Sequence, residues 1–139
     1  MCSRDDLNRL MNETADGLKR LFGGRLKDVL LYGSYARGTQ EESSDIDVMA
    51  LVRLPQDELS RYRRQVSDFS SDMDLKYGVL LSIVLRDAEE FSRHGDTIPF
   101  YRNVIADGMK NRVIRSVRRV FIHPELKSLL RVRQERSRL

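Results

Sequence analysis

The stretch that decides the fold runs Lys27-Asp28-Val29-Leu30-Leu31-Tyr32-Gly33-Ser34-Tyr35-Ala36-Arg37-Gly38 and resumes, after a polar segment, as Ser43-Ser44-Asp45-Ile46-Asp47-Val48-Met49-Ala50-Leu51-Val52. The first apolar run, 27–32, is short and rich in strand formers, which predicts a β-strand ending at a tight Gly33-Ser34 turn. Tyr35-Ala36-Arg37-Gly38 then predicts the start of a helix. Residues 38–44 are polar and turn-prone, and 45–52 read as a second strand entering a mostly buried sheet, closed by Pro55.

Working outward, Leu7, Leu10, Met11, Leu18, Leu21 and Phe22 fall on one helical stripe, and Gly23-Gly24 follows as a stop. Downstream, Leu59, Tyr62, Val66, Phe69 and Met73 recur at three and four residues, so 56–77 is expected to be one amphipathic helix broken by Tyr77-Gly78. The nearly all-apolar run 79–85, with Ser82 inside it, predicts a third, buried strand. Helices are expected at about 87–94 and 98–110, and Val113, Ile114, Val117, Val120 and Phe121 predict a further helix or strand before Pro124. Strands alternating with helices in this order imply an α/β (α+β) fold, a small mixed β-sheet flanked by helices.

The polar residues at the strand ends give this layout chemical meaning. Along a strand, residues i and i+2 share a face about 6.6 Å apart, so Asp45 and Asp47 can aim both carboxylates at one site while Ile46 packs on the other face. Two adjacent carboxylates repel unless a cation lies between them, and hard oxygen ligands of this kind suit Mg²⁺. Gly33 lets backbone approach a ligand, and the amides opening the next helix, with the Ser34 hydroxyl, form a donor surface for phosphate oxygens. Arg37 can add a bidentate clamp to the same phosphates. A phosphate cradle beside a carboxylate pair is an arrangement suited to nucleotidyl transfer.

Gly33-Ser34, ten intervening residues, then Asp45-x-Asp47 resembles the G-S-x10-D-x-D signature of the minimal nucleotidyltransferases, within the polymerase-β-like nucleotidyltransferase superfamily. The run LYGSYARGTQEESSDIDVMALV is similar in its flanks too, and Pro99-Phe100-x-x-Asn103-Val104-x-x-x-Gly108 matches a segment of a subgroup. The resemblance implies a polymerase-β-like fold and transfer of AMP from ATP to a hydroxyl with two Mg²⁺ ions. It implies Gly33 and Ser34 as phosphate-binding residues, and Asp45 and Asp47 as metal ligands. Many such proteins are antitoxins encoded beside a helical HEPN ribonuclease toxin, which some silence by adenylylating a tyrosine; a cognate HEPN toxin is the implied partner. The superfamily also places a third carboxylate on the next strand, where this chain carries Ser82; Asp72, Asp74 and Asp87 are the nearest acids in sequence. That departure keeps open an antitoxin that acts by binding, with little or no catalysis. Transfer to an aminoglycoside-type small molecule is disfavoured by length, because such enzymes add a second domain.

The remaining features exclude more than they assign. Length and composition, 139 residues with 40% hydrophobic and 33% charged, suit one folded domain, expected at 1–110 with a basic, helical extension at 111–139. The net charge of +4 divides unevenly: residues 110–139 carry +8 and residues 1–109 carry −4. The basic character therefore belongs to a tail, which fits a solvated helix face or docking to an acidic partner better than nucleic acid as a direct ligand. A homo-oligomer is compatible with the sequence. A lone cysteine, Cys2, and two distant histidines, His94 and His123, speak against disulfides and zinc. His94 reads as a helix-end residue, while Tyr32 and Tyr35, flanking the turn, can stack on a base or belong to the core. With no apolar run near 20 residues and no secretion signal, the expected compartment is the cytoplasm.

Overall fold

The computed structural model describes residues 2–95 and 97–110. Six α-helices and three strands form there: α1 (Arg4–Phe22), β1 (Leu26–Tyr32), α2 (Ser34–Arg37), β2 (Ile46–Val52), α3 (Gln56–Leu59), α4 (Arg63–Tyr77), β3 (Leu81–Asp87), α5 (Ala88–His94) and α6 (Pro99–Lys110). The elements expected beyond residue 110, and the 111–139 extension, lie outside the described residues.

The three strands form one mixed sheet in the order β1-β2-β3, with β1 antiparallel to β2 and β2 parallel to β3. A parallel pair needs a crossover, which α3 and α4 supply. Strand alternation divides the side chains into two cores. Val29, Leu31, Ile46, Val48, Ala50, Val52, Leu81 and Leu85 meet Leu7, Leu10, Met11 and Leu18 of α1 and Val66 and Met73 of α4. Leu30, Met49 and Leu51 meet Phe91 of α5 and Tyr101, Val104 and Ile105 of α6 on the opposite face. α1 starts on Ser3, whose hydroxyl accepts from the Asp6 N–H at 3.1 Å, and carries Lys19 and Arg20 in its last turn, which suits its dipole. A Cβ at Gly17 would run into the Phe69 ring, so this glycine sets how closely α1 and α4 approach.

The expected helix over 56–77 is interrupted. Ser60–Tyr62 form a tighter 3-10 turn in which the Ser60 hydroxyl donates to the Asp57 carbonyl at 2.6 Å, and Tyr62 packs its ring on Phe22 at 4.7 Å. Periodicity could not show this, because Leu59, Tyr62 and Val66 face the core in either geometry.

The third strand lies two residues later than 79–85 and is an edge strand, not a buried one. Gly78 takes the left-handed conformation (φ +65°) and its N–H, with that of Val79, bonds to the Asp74 carbonyl, so the helix cap consumes Val79 and leaves Leu80 exposed. Side chains occupy both ends of the outer edge. The Gln56 carboxamide donates to the Leu85 carbonyl and accepts from the Asp87 N–H, each at 3.2 Å. The Leu81 N–H donates to Asp74 Oδ1 at 2.7 Å, and the Leu81 carbonyl accepts from the Ser70 hydroxyl. Occupied groups at both ends shorten the template offered to another strand.

Candidate active site

The site forms where β1 ends and β2 and β3 begin. Register places Tyr32 beside Asp47 and Asp47 beside Ser82, so these three side chains stand in a row across the sheet, on the face covered further along by α5 and α6. Ser82, inferred from sequence to occupy the position of a third carboxylate, is thus abreast of Asp47. Asp45 lies just before the first paired residue of β2 and is exposed, whereas Asp47 is half-buried.

Gly33 binds this row together. Its backbone (φ +79°, ψ −157°) lies in a region that side-chain-bearing residues rarely adopt, and a Cβ there would collide with the Asp47 carboxylate. The turn therefore presses bare backbone against an acid. Its carbonyl accepts from the N–H groups of Ala36 and Arg37 at 3.1 Å each, which starts α2 with Ser34, partly exposed, as its first residue. Tyr35 and Ala36 anchor α2 in the core, and the Tyr35 hydroxyl accepts from the Cys2 N–H at 3.3 Å; Tyr35 is thus a core residue.

The electrostatics identify Asp47 as the perturbed group. Burial pushes its carboxyl above the usual carboxylate range, the charge of Asp45 pushes it the same way, and the Arg37 guanidinium opposes both. The same carboxylate, added to burial, raises the Tyr32 phenol. Two hard oxygen donors at one strand end, one held partly out of water beside the other, fit a divalent cation, which would relieve their repulsion. Among the described residues no group of three Asp, Glu, His or Cys side chains forms a ligand set. Asp74 is taken by the Leu81 N–H. Asp87 caps α5, accepting from the Glu89 N–H at 2.9 Å, five positions along β3 from Ser82. Asp72 is exposed on α4, which packs on the other face. None of the three supplies the missing acid. His94 ends α5, as expected.

One residue of this end escaped the sequence reading. Asp107 of α6, only 7% exposed, accepts through Oδ2 from the Gly33 N–H at 2.9 Å and from Arg37 Nη1 at 3.1 Å. Arg37, read from sequence as a phosphate clamp, is thus joined to a carboxylate here, with its side chain 46% exposed. A hollow of 470 Å³ between α3, α4 and β3 contains none of the sequence-predicted residues, while one of 270 Å³ is bordered by Asp45, Tyr35 and Leu80. No helix of the described residues is long and apolar enough to cross a membrane.

Comparison with known proteins gives the family. A sequence model described as "Nucleotidyltransferase domain" matches residues 11–129. Three proteins of Methanocaldococcus jannaschii, each named "Putative protein adenylyltransferase", are similar to this chain. One is 33% identical over 100 residues, covering 72% of this chain and 92% of its own length. A second is 32% identical over 87 residues, covering 62% of this chain and 58% of its own, and a third 30% identical over 81 residues, covering 58% and 79%. With a three-stranded mixed sheet flanked by helices, and a glycine turn laid against an acid at the strand ends, the chain belongs to the nucleotidyltransferase domain family and has a fold that fits the polymerase-β-like architecture.

Proposed function

We propose that the chain transfers AMP from ATP to a hydroxyl on a partner protein, and that the acceptor is a tyrosine of a cognate HEPN toxin, with the chain acting as its antitoxin in the cytoplasm. The observation that carries the reaction class is the contact of Gly33 backbone with the Asp47 carboxylate, because it sets a phosphate-binding turn directly beside a metal-binding acid. The names of the relatives support a protein acceptor and adenylyl as the group moved.

The donor set suits Mg²⁺, and Asp45 and Asp47 would hold it; when bound, the ion supplies charge neutralisation for the triphosphate and for the oxygens exchanged. The Ser34 hydroxyl and the N–H groups of Ser34 and Tyr35, which precede the first bonded amide of α2, bind and orient phosphate oxygens. The short turn fixes their position relative to Asp47, so alignment is prepaid in the fold. Tyr32 stands beside Asp47 across the sheet, where burial and the carboxylate's charge raise its phenol. Purified protein given MgATP and its toxin partner should add the mass of AMP to that partner, and Asp47→Asn or Ser34→Ala should abolish the gain. No transfer to any acceptor, with ATP binding intact, would overturn the reading.

Ser82 favours a second reading. A serine is a poor base and a weak metal ligand, so an antitoxin that neutralises its partner by complex formation, with slow or no transfer, fits the same site. An Asp45→Asn/Asp47→Asn double variant that still protects cells from the toxin would select it.

A further inference from the structure

We propose that Asp107 is a positioning residue for nucleotide binding: one buried carboxylate on α6 sets the Gly33-Ser34 turn and aims Arg37. The inference rests on the nucleotide reading of that turn and adds a residue 74 positions away in sequence to its machinery.

Three observations carry it. Oδ2 of Asp107 takes both the Gly33 N–H and the Arg37 guanidinium, so a single atom ties the first residue of the turn to the last residue of α2. Asp107 is held in place by its helix, because Tyr101, Val104 and Ile105 are buried against the sheet, and its side chain is only 9% exposed. The Gly33 peptide it grips has a backbone conformation with φ +79° and lies on Asp47, so rotation of that peptide would move the turn relative to the acid pair. A charge-assisted hydrogen bond donated to a buried carboxylate is strong enough to select one peptide orientation. It also balances Arg37, whose side chain is 46% exposed and whose charge opposes the upward shift of the Asp47 carboxyl.

Asn in place of Asp107 keeps the shape and an acceptor for the Gly33 N–H but removes the charge that holds Arg37. Titration of MgATP into the full-length protein, with melting of the nucleotide-free form in parallel, separates positioning from general stability. Asp107→Asn should weaken ATP about tenfold, the effect of losing one charge-assisted hydrogen bond, in Kd and in KM more than in kcat. Asp107→Glu, which restores the charge, should recover part of that loss. Combining Asp107→Asn with Arg37→Ala should weaken ATP no further than Arg37→Ala alone. Unchanged affinity in Asp107→Asn overturns the proposal, and so does tighter binding, which would mean that the carboxylate competes with phosphate. If Asp107→Asn does not fold, Arg37→Ala decides, since unchanged ATP affinity there removes the pair from the site's work. Failure of the wild-type protein itself to bind MgATP overturns the nucleotide reading and this inference together, whereas binding by wild type with no effect of Asp107 overturns this inference alone.

Discussion

On one face of the sheet, Val29, Leu31, Ile46, Val48, Ala50, Val52, Leu81 and Leu85 lie under α1 and α4 as continuous apolar cover. On the other, Leu30, Met49, Leu51 and Val84 lie under α5 and α6, and at one end the cover gives way to Tyr32, Asp47 and Ser82 in a row. The same strands build both, one residue out of phase. The difference teaches that the first face holds the fold while the open end of the second is where the proposed chemistry sits, so damage to one should be separable from damage to the other.

The sharpest break is expected at Gly33. Gly33→Val forces a β-branched residue to φ +79° and drives its methyl groups into the Asp47 carboxylate. Transfer should fall about a thousandfold, the scale of losing preorganised electrostatics at a reacting centre, with the sheet intact by circular dichroism. Activity within tenfold of wild type would mean that the turn does not position the reaction. Next comes the closed face. Leu10→Ala deletes a fully buried side chain between α1 and the sheet and should cost about 3 kcal/mol of unfolding free energy in urea, while kcat per folded molecule stays unchanged. A drop in kcat from that substitution would dissolve the division between the faces.

A smaller effect, in the opposite direction, is expected from Ser82→Asp. Ser82 is exposed and abreast of Asp47, so an added carboxylate incurs little desolvation and joins the acid pair. If the missing acid limits the rate, the variant should transfer AMP about tenfold faster, within the range of a general-base contribution, at saturating MgATP. No gain would favour the antitoxin that works by binding.

How much of this was legible in sequence follows from the range over which each feature is encoded. The turn, the acid pair and the order of strands and helices are local: Gly33, Ser34, Asp45 and Asp47 lie within fifteen residues, and their spacing with strand alternation predicts that they share one end of the sheet. The register that sets Ser82 beside Asp47 was approachable because β2 and β3 each run seven residues with little freedom to slip. Asp107 was not legible, since its partners are 74 and 70 residues away and its helix shows only an ordinary apolar stripe. The break at Ser60–Tyr62 and the edge position of β3 were also hidden. The first leaves the apolar spacing unchanged, and the second depends on Gln56, Ser70 and Asp74 bonding to the strand's ends from another element.

The smallest effect tests the comparison most directly, because it sets stability against function at one atom group. Burial first, then Asp45, raise the Asp47 carboxyl above its ordinary value. The folded protein therefore binds a proton there more readily than the unfolded chain, so the unfolding free energy contributed by this group decreases as pH rises from the unfolded pKa through the raised folded one. At neutral pH the ionised Asp47 is a destabilising charge held in place by the fold around it. Asp47→Asn should thus melt slightly higher than wild type at pH 7, and the gap should close on acidification as the wild-type carboxyl takes up its proton. Transfer, which needs the ionised form, should fade over that same acid range in the wild type. A variant that melts lower than wild type at neutral pH would show that Asp47 is held for the fold, as the residues of the closed face are, and the open end would lose its claim to be built for chemistry at the expense of stability.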